Sequence, residues 1–256
     1  MINVPFLLKR VYSVWYRFMK VYTKNIFSNG FEPFVEPIIF LGGIGFGLGG
    51  FIKEIEGIPY IQFIGSAVII TTAMFTSAFE CAYGTFVRLT FAKTYDGIIS
   101  SPVSVENLLI GEMLWAGTKG FFFSLAVLLI LLMLRIFSSL RVFFIPFIGF
   151  LTGAMFAGIS LFVTSFVKTF DHFSFYTSGF LSPMFFFSGT VFSLQQISLP
   201  LRVIAEILPL THCIRLSRAI IFSRWENFIF DISYVIIGIL LFGFLGINRI
   251  KKRLID

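Results

Sequence analysis

Apolar runs of about twenty residues, separated by short clusters of charge, proline and glycine, recur along this chain. A helix rising 1.5 Å per residue needs about 20 apolar residues to cross roughly 30 Å of hydrocarbon. Such runs lie at 31–52, 60–83, 108–134, 142–167, 173–193 and 228–247. They predict an all-α polytopic membrane protein with six transmembrane helices. Ser182-Pro183 predicts a kink in the fifth.

Other periods fill the gaps. Val11, Val14, Trp15, Phe18 and Tyr22 recur at helical spacing, and Arg10, Arg17 and Lys24 repeat on another face. Residues 1–27 therefore read as an N-terminal amphipathic interfacial helix with its basic side towards lipid head groups. Residues 195–226 are too apolar for a plain loop, and too broken by Pro200, Pro209, Arg202, Glu206, Arg215 and Arg218 to span. They predict a re-entrant helix pair before the last span, hinged near Pro209 and dipping in from the outer side. The stretch 80–112 carries Arg88, Lys93, Asp96 and Glu106 among Gly97, Ser100, Ser101 and Pro102. Unpaired charges and turn residues do not sit in a bilayer, so this stretch is expected in water or against another protein, with 84–107 as a cytosolic docking region. A seventh span would put the basic tail opposite the basic N-terminal helix. Six spans keep both on one side, which the positive-inside bias makes the cytosol.

Composition agrees with a single transmembrane domain over 1–256. The chain is 57% hydrophobic and 13% charged with mean hydropathy +0.93, whereas soluble domains are about a quarter charged. The net charge of +7 follows from Lys and Arg marking the cytosolic face, so lipid rather than nucleic acid is the expected partner. Cys81 and Cys213 have no CxxC spacing and fall on opposite sides of this topology, so no disulfide is expected.

Chemistry-bearing motifs are few. Gly45 to Gly50 matches GxGxxG, but it follows no strand and lies inside an apolar run, so it is read sterically. Gly43/Gly47, Gly45/Gly49, Gly149/Gly153 and Gly153/Ala157 are small-xxx-small pairs that let helices approach, within one subunit or across a dimer. No Gly-Lys dipeptide occurs, so no Walker A loop is present and ATP is not hydrolysed here by that route. His172 and His212 fall on opposite faces without metal or hydrolase motifs; no catalytic residue, metal or cofactor is assigned to this chain. His212, Arg215 and Arg218 share a broad helix face, which either snorkels or receives an anionic head group. Glu36, Glu112 and Lys119 are ionisable groups in apolar runs. Glu112 and Lys119 either cap a polar path or pair across helices, and Glu36 either joins that path or sits at the interface. Most of the 37 Phe face lipid, and a minority can line a path for a sugar or acyl chain; Phe186 and Gly189 are taken as candidates for it.

Several segments together resemble a known family. They are Glu36-Pro37 with Gly45-Phe46-Gly47-Leu48-Gly49, Ala78-Phe79-Glu80 with Tyr83-Gly84-Thr85-Phe86, and Tyr95-Asp96-Gly97-Ile98-Ile99-Ser100-Ser101-Pro102-Val103. Gly111-Glu112, Trp115-Ala116 and Lys119 come next, then Ser182-Pro183-Met184 through Phe187-Ser188-Gly189-Thr190-Val191-Phe192 to Leu208-Pro209-Leu210-Thr211-His212. They resemble the membrane subunit of ABC-2 type exporters, and within it the nodulation-type (NodJ-like) lipo-oligosaccharide permeases.

The resemblance implies a permease in a bacterial cytoplasmic (inner) membrane, paired with a second permease copy and two copies of an ABC ATP-binding subunit that carries ATP and Mg. It implies a coupling helix near 91–101, bringing Phe91, Thr94, Tyr95, Asp96, Gly97, Ile98, Ser100, Ser101 and Pro102 to the ATPase. It further implies an outer gate carrying Glu206, Pro209, His212, Arg215 and Arg218. The implied cargo is a lipid-linked or acylated oligosaccharide; the alternatives are drugs or other small amphiphiles, or a carrier driven by an ion gradient through Glu36 or Glu112. Ser193 departs from the family's pattern, which tends to proline there, and loosening of the re-entrant start is the expected consequence.

Overall fold

A computed structural model describes residues 4–24, 35 and 37–255. The described residues are mostly helical. Helix α1 spans Val4–Thr23, α2 Pro37–Gly49, α3 Tyr60–Thr90, α4 Thr94–Ile99, α5 Val105–Met133 and α6 Leu140–Thr164. Next come α7 at 170–187, α8 Leu199–Ile207, α9 Pro209–Phe222 and α10 Phe228–Ile255. The only strands among the described residues are β1 Glu54–Ile55 and β2 Ile58–Pro59, a hairpin turned by Glu56 and Gly57 at positive φ.

Among the described residues four helices, α3, α5, α6 and α10, are long and apolar enough to cross a membrane. The described part of α2 is shorter and α7 is not among the four; residues 31–34 and Glu36 lie outside the described residues. Three further boundaries differ from the sequence expectation. α3 runs on past Glu80 to Thr90, and α10 runs through the basic tail to Ile255. α7 stops before Gly189, which takes φ +78°, so 188–193 is a turn. The expected kink at Pro183 is met by a π turn at Thr177–Leu181, immediately before Ser182. A proline lacks the N–H for the α ladder, and a wider turn absorbs that mismatch.

Glycine sets how closely the helices approach. A β-carbon at Gly120 of α5 would lie 2.7 Å from the Gly149 carbonyl of α6, and one at Gly153 would lie 2.6 Å from Ser77 Oγ of α3. Ser77 Oγ donates to the Ala116 carbonyl at 2.8 Å, so three helices meet with their backbones almost in contact. Gly158 and Gly246 do the same for α6 and α10. Gly43 and Gly47 instead have open space where a side chain would be.

Contacts sort the connections to two ends. At one, α1 lies on α5 over Gly111, Lys251 pairs with Glu106, and Arg253 donates to the Thr164 carbonyl at 2.6 Å. At the other, Arg224 binds Glu56 at 3.2 Å, Arg141 bonds Ser223, and Gln62 donates to the Ile136 carbonyl at 2.9 Å. Ser193 also bonds the Glu56 carboxylate there, so the turn expected to be loose is tied down. Overpacking a close crossing costs about 1–3 kcal/mol. Gly153→Leu is accordingly expected to lower the melting temperature of the detergent-solubilised protein sharply, whereas Gly179→Leu, where a side chain also meets open space, has a much smaller effect, as read by fluorescence-detected thermal unfolding.

Candidate functional site

Glu112 of α5 has no exposed surface. A carboxylate taken out of water must be paired and hydrogen-bonded, and three side chains from two helices supply the donors. Thr85 Oγ1 donates to Oε1 at 2.7 Å, Arg88 Nη2 donates to the same oxygen at 2.5 Å, and the Tyr95 hydroxyl donates to Oε2. Arg88 Nη1 reaches Glu80 Oε1 at 2.9 Å, and Lys119 Nζ reaches Glu80 Oε2 at 3.0 Å. Two cations thus face two carboxylates. Local backbone makes room for them: Glu80 opens a π turn in α3, and a β-carbon at Gly84 would lie 2.8 Å from Arg88 Nη2. α1 roofs the cluster, with Phe18 4.8 Å from the Arg88 guanidinium and Tyr22 5.0 Å from Lys119 Nζ.

The short helix α4 hangs from this cluster. Tyr95 is its one fully buried side chain, while Asp96, Gly97, Ser100, Ser101 and Pro102 are exposed, and Thr94 and Ile98 are half-buried. Phe91, 63% exposed, stacks on Phe170 from the start of α7 at 5.6 Å. Burial, reinforced by the Glu112 charge, pushes the Tyr95 phenol well above its ordinary pKa, so it stays a donor.

A cleft of about 220 Å³ opens among α2, α3, α5 and α7. Phe40, Phe75, Phe79, Phe123, Phe185 and Phe186 wall it, with Thr71, Thr72, Thr76 and Ser182 between the rings. It adjoins the ion cluster, because Lys119 Nζ lies 5.4 Å from the Phe123 ring centroid.

At the opposite end α8, α9 and α10 are tied into an elbow. The last carbonyls of a helix have no partner within it, and here Thr211 Oγ1, His212 Nε2 and the Tyr234 hydroxyl donate to those of Ala205, Glu206 and Ile207 at 2.6, 2.9 and 2.7 Å. Arg215 bridges Glu206 at 2.8 Å and Asp231 at 2.7 Å, and His212 Nδ1 lies 2.7 Å from Asp231. Arg218 turns away towards α3, donating to the Phe63 and Gly189 carbonyls at 3.2 and 2.8 Å.

The structure thus gathers Tyr95, Glu112 and Lys119 in one cluster and puts Phe186 on the neighbouring cleft. Gly189 is not on that cleft; its carbonyl holds Arg218. Glu112 and Lys119 do not pair with each other but with Arg88 and Glu80. His212, Arg215 and Arg218 form no common cationic patch, since acids take two of them and backbone the third. The ends of the stretch 80–112 are helical and their charges paired, so the part still expected in water is 91–104. Reading by sequence missed Glu80, Thr85, Arg88 and Asp231. Asp231 was detectable as a lone acid opening an apolar helix, and Glu80 and Arg88 as opposite charges two turns apart.

A family model described as ABC-2 type transporter matches residues 9–222. Nodulation protein J of Sinorhizobium fredii is 30% identical over 246 residues, covering 95% of this chain and 94% of that protein. Nodulation protein J of Bradyrhizobium diazoefficiens is 31% identical over 245 residues, covering 95% and 93%. The inner membrane transport permease YadH of Escherichia coli is 24% identical over 186 residues, 71% of each chain. No solved structure matches the chain.

Stranding a buried charge by removing its partner costs about 3–5 kcal/mol. Arg88→Met is therefore expected to destabilise the protein severely, and Arg88→Met with Glu112→Leu to recover much of the loss, as measured by thermal unfolding in detergent.

Proposed function

The chain belongs to the ABC-2 type transporter family, and from that premise we propose that it is the membrane-spanning permease of an ATP-driven exporter. The observation that carries this reading is α4: a six-residue helix whose polar face is open to a partner and whose single buried side chain is bonded into the helix bundle. ATP and Mg then belong to a separate ABC ATP-binding subunit, present in two copies, and this chain does no chemistry of its own. That subunit grips Phe91, Asp96, Gly97, Ser100, Ser101 and Pro102, while Tyr95 faces inward. A second permease copy, identical to this one, completes the transporter, and Gly43 and Gly47 on the open side of α2 suit close helix contact with it.

Six crossings, by α2, α3, α5, α6, α7 and α10, are supported by the two sets of end contacts, one joining α1 to the tail region and one joining the hairpin to the α9–α10 turn. Both termini lie in the cytosol of a bacterial cell with the protein in its inner membrane, in keeping with the basic residues of α1 and of the end of α10. α8 and α9 dip in from the outer side and gate the exit, with Pro209 at their corner. The cargo is a lipid-linked or acylated oligosaccharide. Support comes from the relatives named Nodulation protein J and from the cleft, whose rings offer flat faces to a sugar or acyl chain while its hydroxyls offer hydrogen bonds.

Purified in mild detergent from native membranes, the chain is expected to bring down a Walker-motif ATPase, and Asp96→Arg with Ser101→Arg to release it; recovery of no ATPase overturns the proposal. In vesicles containing the complex, ATP-dependent export of a fluorescent acylated tetrasaccharide is expected, reduced roughly tenfold by Phe75→Ala with Phe185→Ala. Export of a fluorescent cationic drug but not of the glycolipid would move the cargo assignment to small amphiphiles.

A further inference from the structure

From the buried Tyr95 of α4 to Lys119 of α5 runs an unbroken series of hydrogen bonds. Tyr95 on α4 bonds Glu112 on α5; Glu112 bonds Arg88 on α3; Arg88 bonds Glu80 on the same helix; Glu80 bonds Lys119 back on α5. Lys119 then lies over Phe123, a wall of the cleft. We infer that Glu112 is the coupling carboxylate of this transporter: the Tyr95 hydroxyl carries a displacement of α4 onto it, and Arg88, Glu80 and Lys119 pass the displacement to the cleft wall.

Three features favour this series over the apolar contacts beside it. Ile98 and Ile99 of α4 are half-buried among other apolar side chains, and such contacts are non-directional and can slide. A hydrogen bond to a charge in a dry site is directional and stronger than in water, and its loss leaves the carboxylate under-satisfied. Secondly, the donors on Glu112 come from different segments, Tyr95 from α4, Thr85 and Arg88 from α3. When Tyr95 withdraws, Glu112 Oε2 is left without its donor and competes for the Arg88 Nη1 that now holds Glu80, so Arg88 turns from Glu80 to Glu112 and Glu80 is left to Lys119. That gives two discrete arrangements of one set of charges, which a partner can bias. Thirdly, Gly84 carries no side chain where the guanidinium packs, so Arg88 lies directly against the α3 backbone at the turn between Glu80 and Glu112. Tyr95 is thus a positioning residue, acting through its hydroxyl rather than its bulk; a phenylalanine would fill the same volume and carry no push.

The inference rests on α4 being the ATPase-docking helix, and the test separates the two. The full complex, with its co-purified ATPase, is prepared with Thr76→Cys in the cleft; Cys81 and Cys213 are fully buried and serve as silent background. The maleimide labelling rate at position 76 is measured with and without ATP plus vanadate. The reference complex is expected to change its labelling rate on nucleotide binding. Tyr95→Phe is expected to keep the ATPase bound and to shrink that change at least fivefold. Tyr176→Phe, which removes a comparable buried hydroxyl bond to Ser160 at 2.8 Å elsewhere, is expected to keep it. An undiminished change in Tyr95→Phe, an equal loss in Tyr176→Phe, or no change in the reference complex overturns the relay while leaving the docking reading intact. Absence of any ATPase from the reference preparation removes both.

Discussion

A carboxylate with no access to water has to be neutralised by its neighbours, and Glu112 draws α1, α3, α4 and α5 together because of it. The desolvation cost of one buried ion is several kcal/mol, more than any single apolar contact returns. The cluster therefore constrains everything near it: the π turn at Glu80, the missing side chain at Gly84, the inward turn of Tyr95 and the seat of α1 over Phe18 are all local answers to the same charge.

The opposite end solves a different problem with similar means. There the cost comes from the carbonyls at the end of α8, which lack a following helical turn, and Thr211, His212 and Tyr234 donate to one each. Arg215 and Asp231 then lock the corner to α10. Between the ends, α3, α5 and α6 pack through glycine and serine rather than through bulk, since in lipid there is no hydrophobic gain from bringing apolar helices together and close backbone contact has to supply the attraction. The ionic ends and the small-residue middle are complementary, one giving direction and the other proximity.

Much of the architecture was legible in the sequence. Long apolar runs announce α3, α5, α6 and α10 because crossing hydrocarbon demands their length, and the 3.6-residue period with Arg10, Arg17 and Lys24 announces α1. The α8–α9 corner was visible in Pro209. What escaped was pairing. Arg88 and Lys93 read alike as charges that need water, yet Arg88 is cancelled by residues 8 and 24 positions away and Lys93 is not among the ion-paired residues described. No local pattern carries that distinction. The cationic face of His212, Arg215 and Arg218 failed for the same reason, because its acids lie on the helices before and after it.

The π turns at Leu41–Phe46, Glu80–Gly84 and Thr177–Leu181 occur in α2, α3 and α7, three of the four helices that wall the cleft. A π turn holds one residue more than the α turn it replaces, so in each of these helices the part beyond the turn is rotated by about 100° relative to an uninterrupted α-helix. The faces that these helices turn to the cleft therefore change register at the π turn, and residues four apart across it do not share a side as they do elsewhere in the helix.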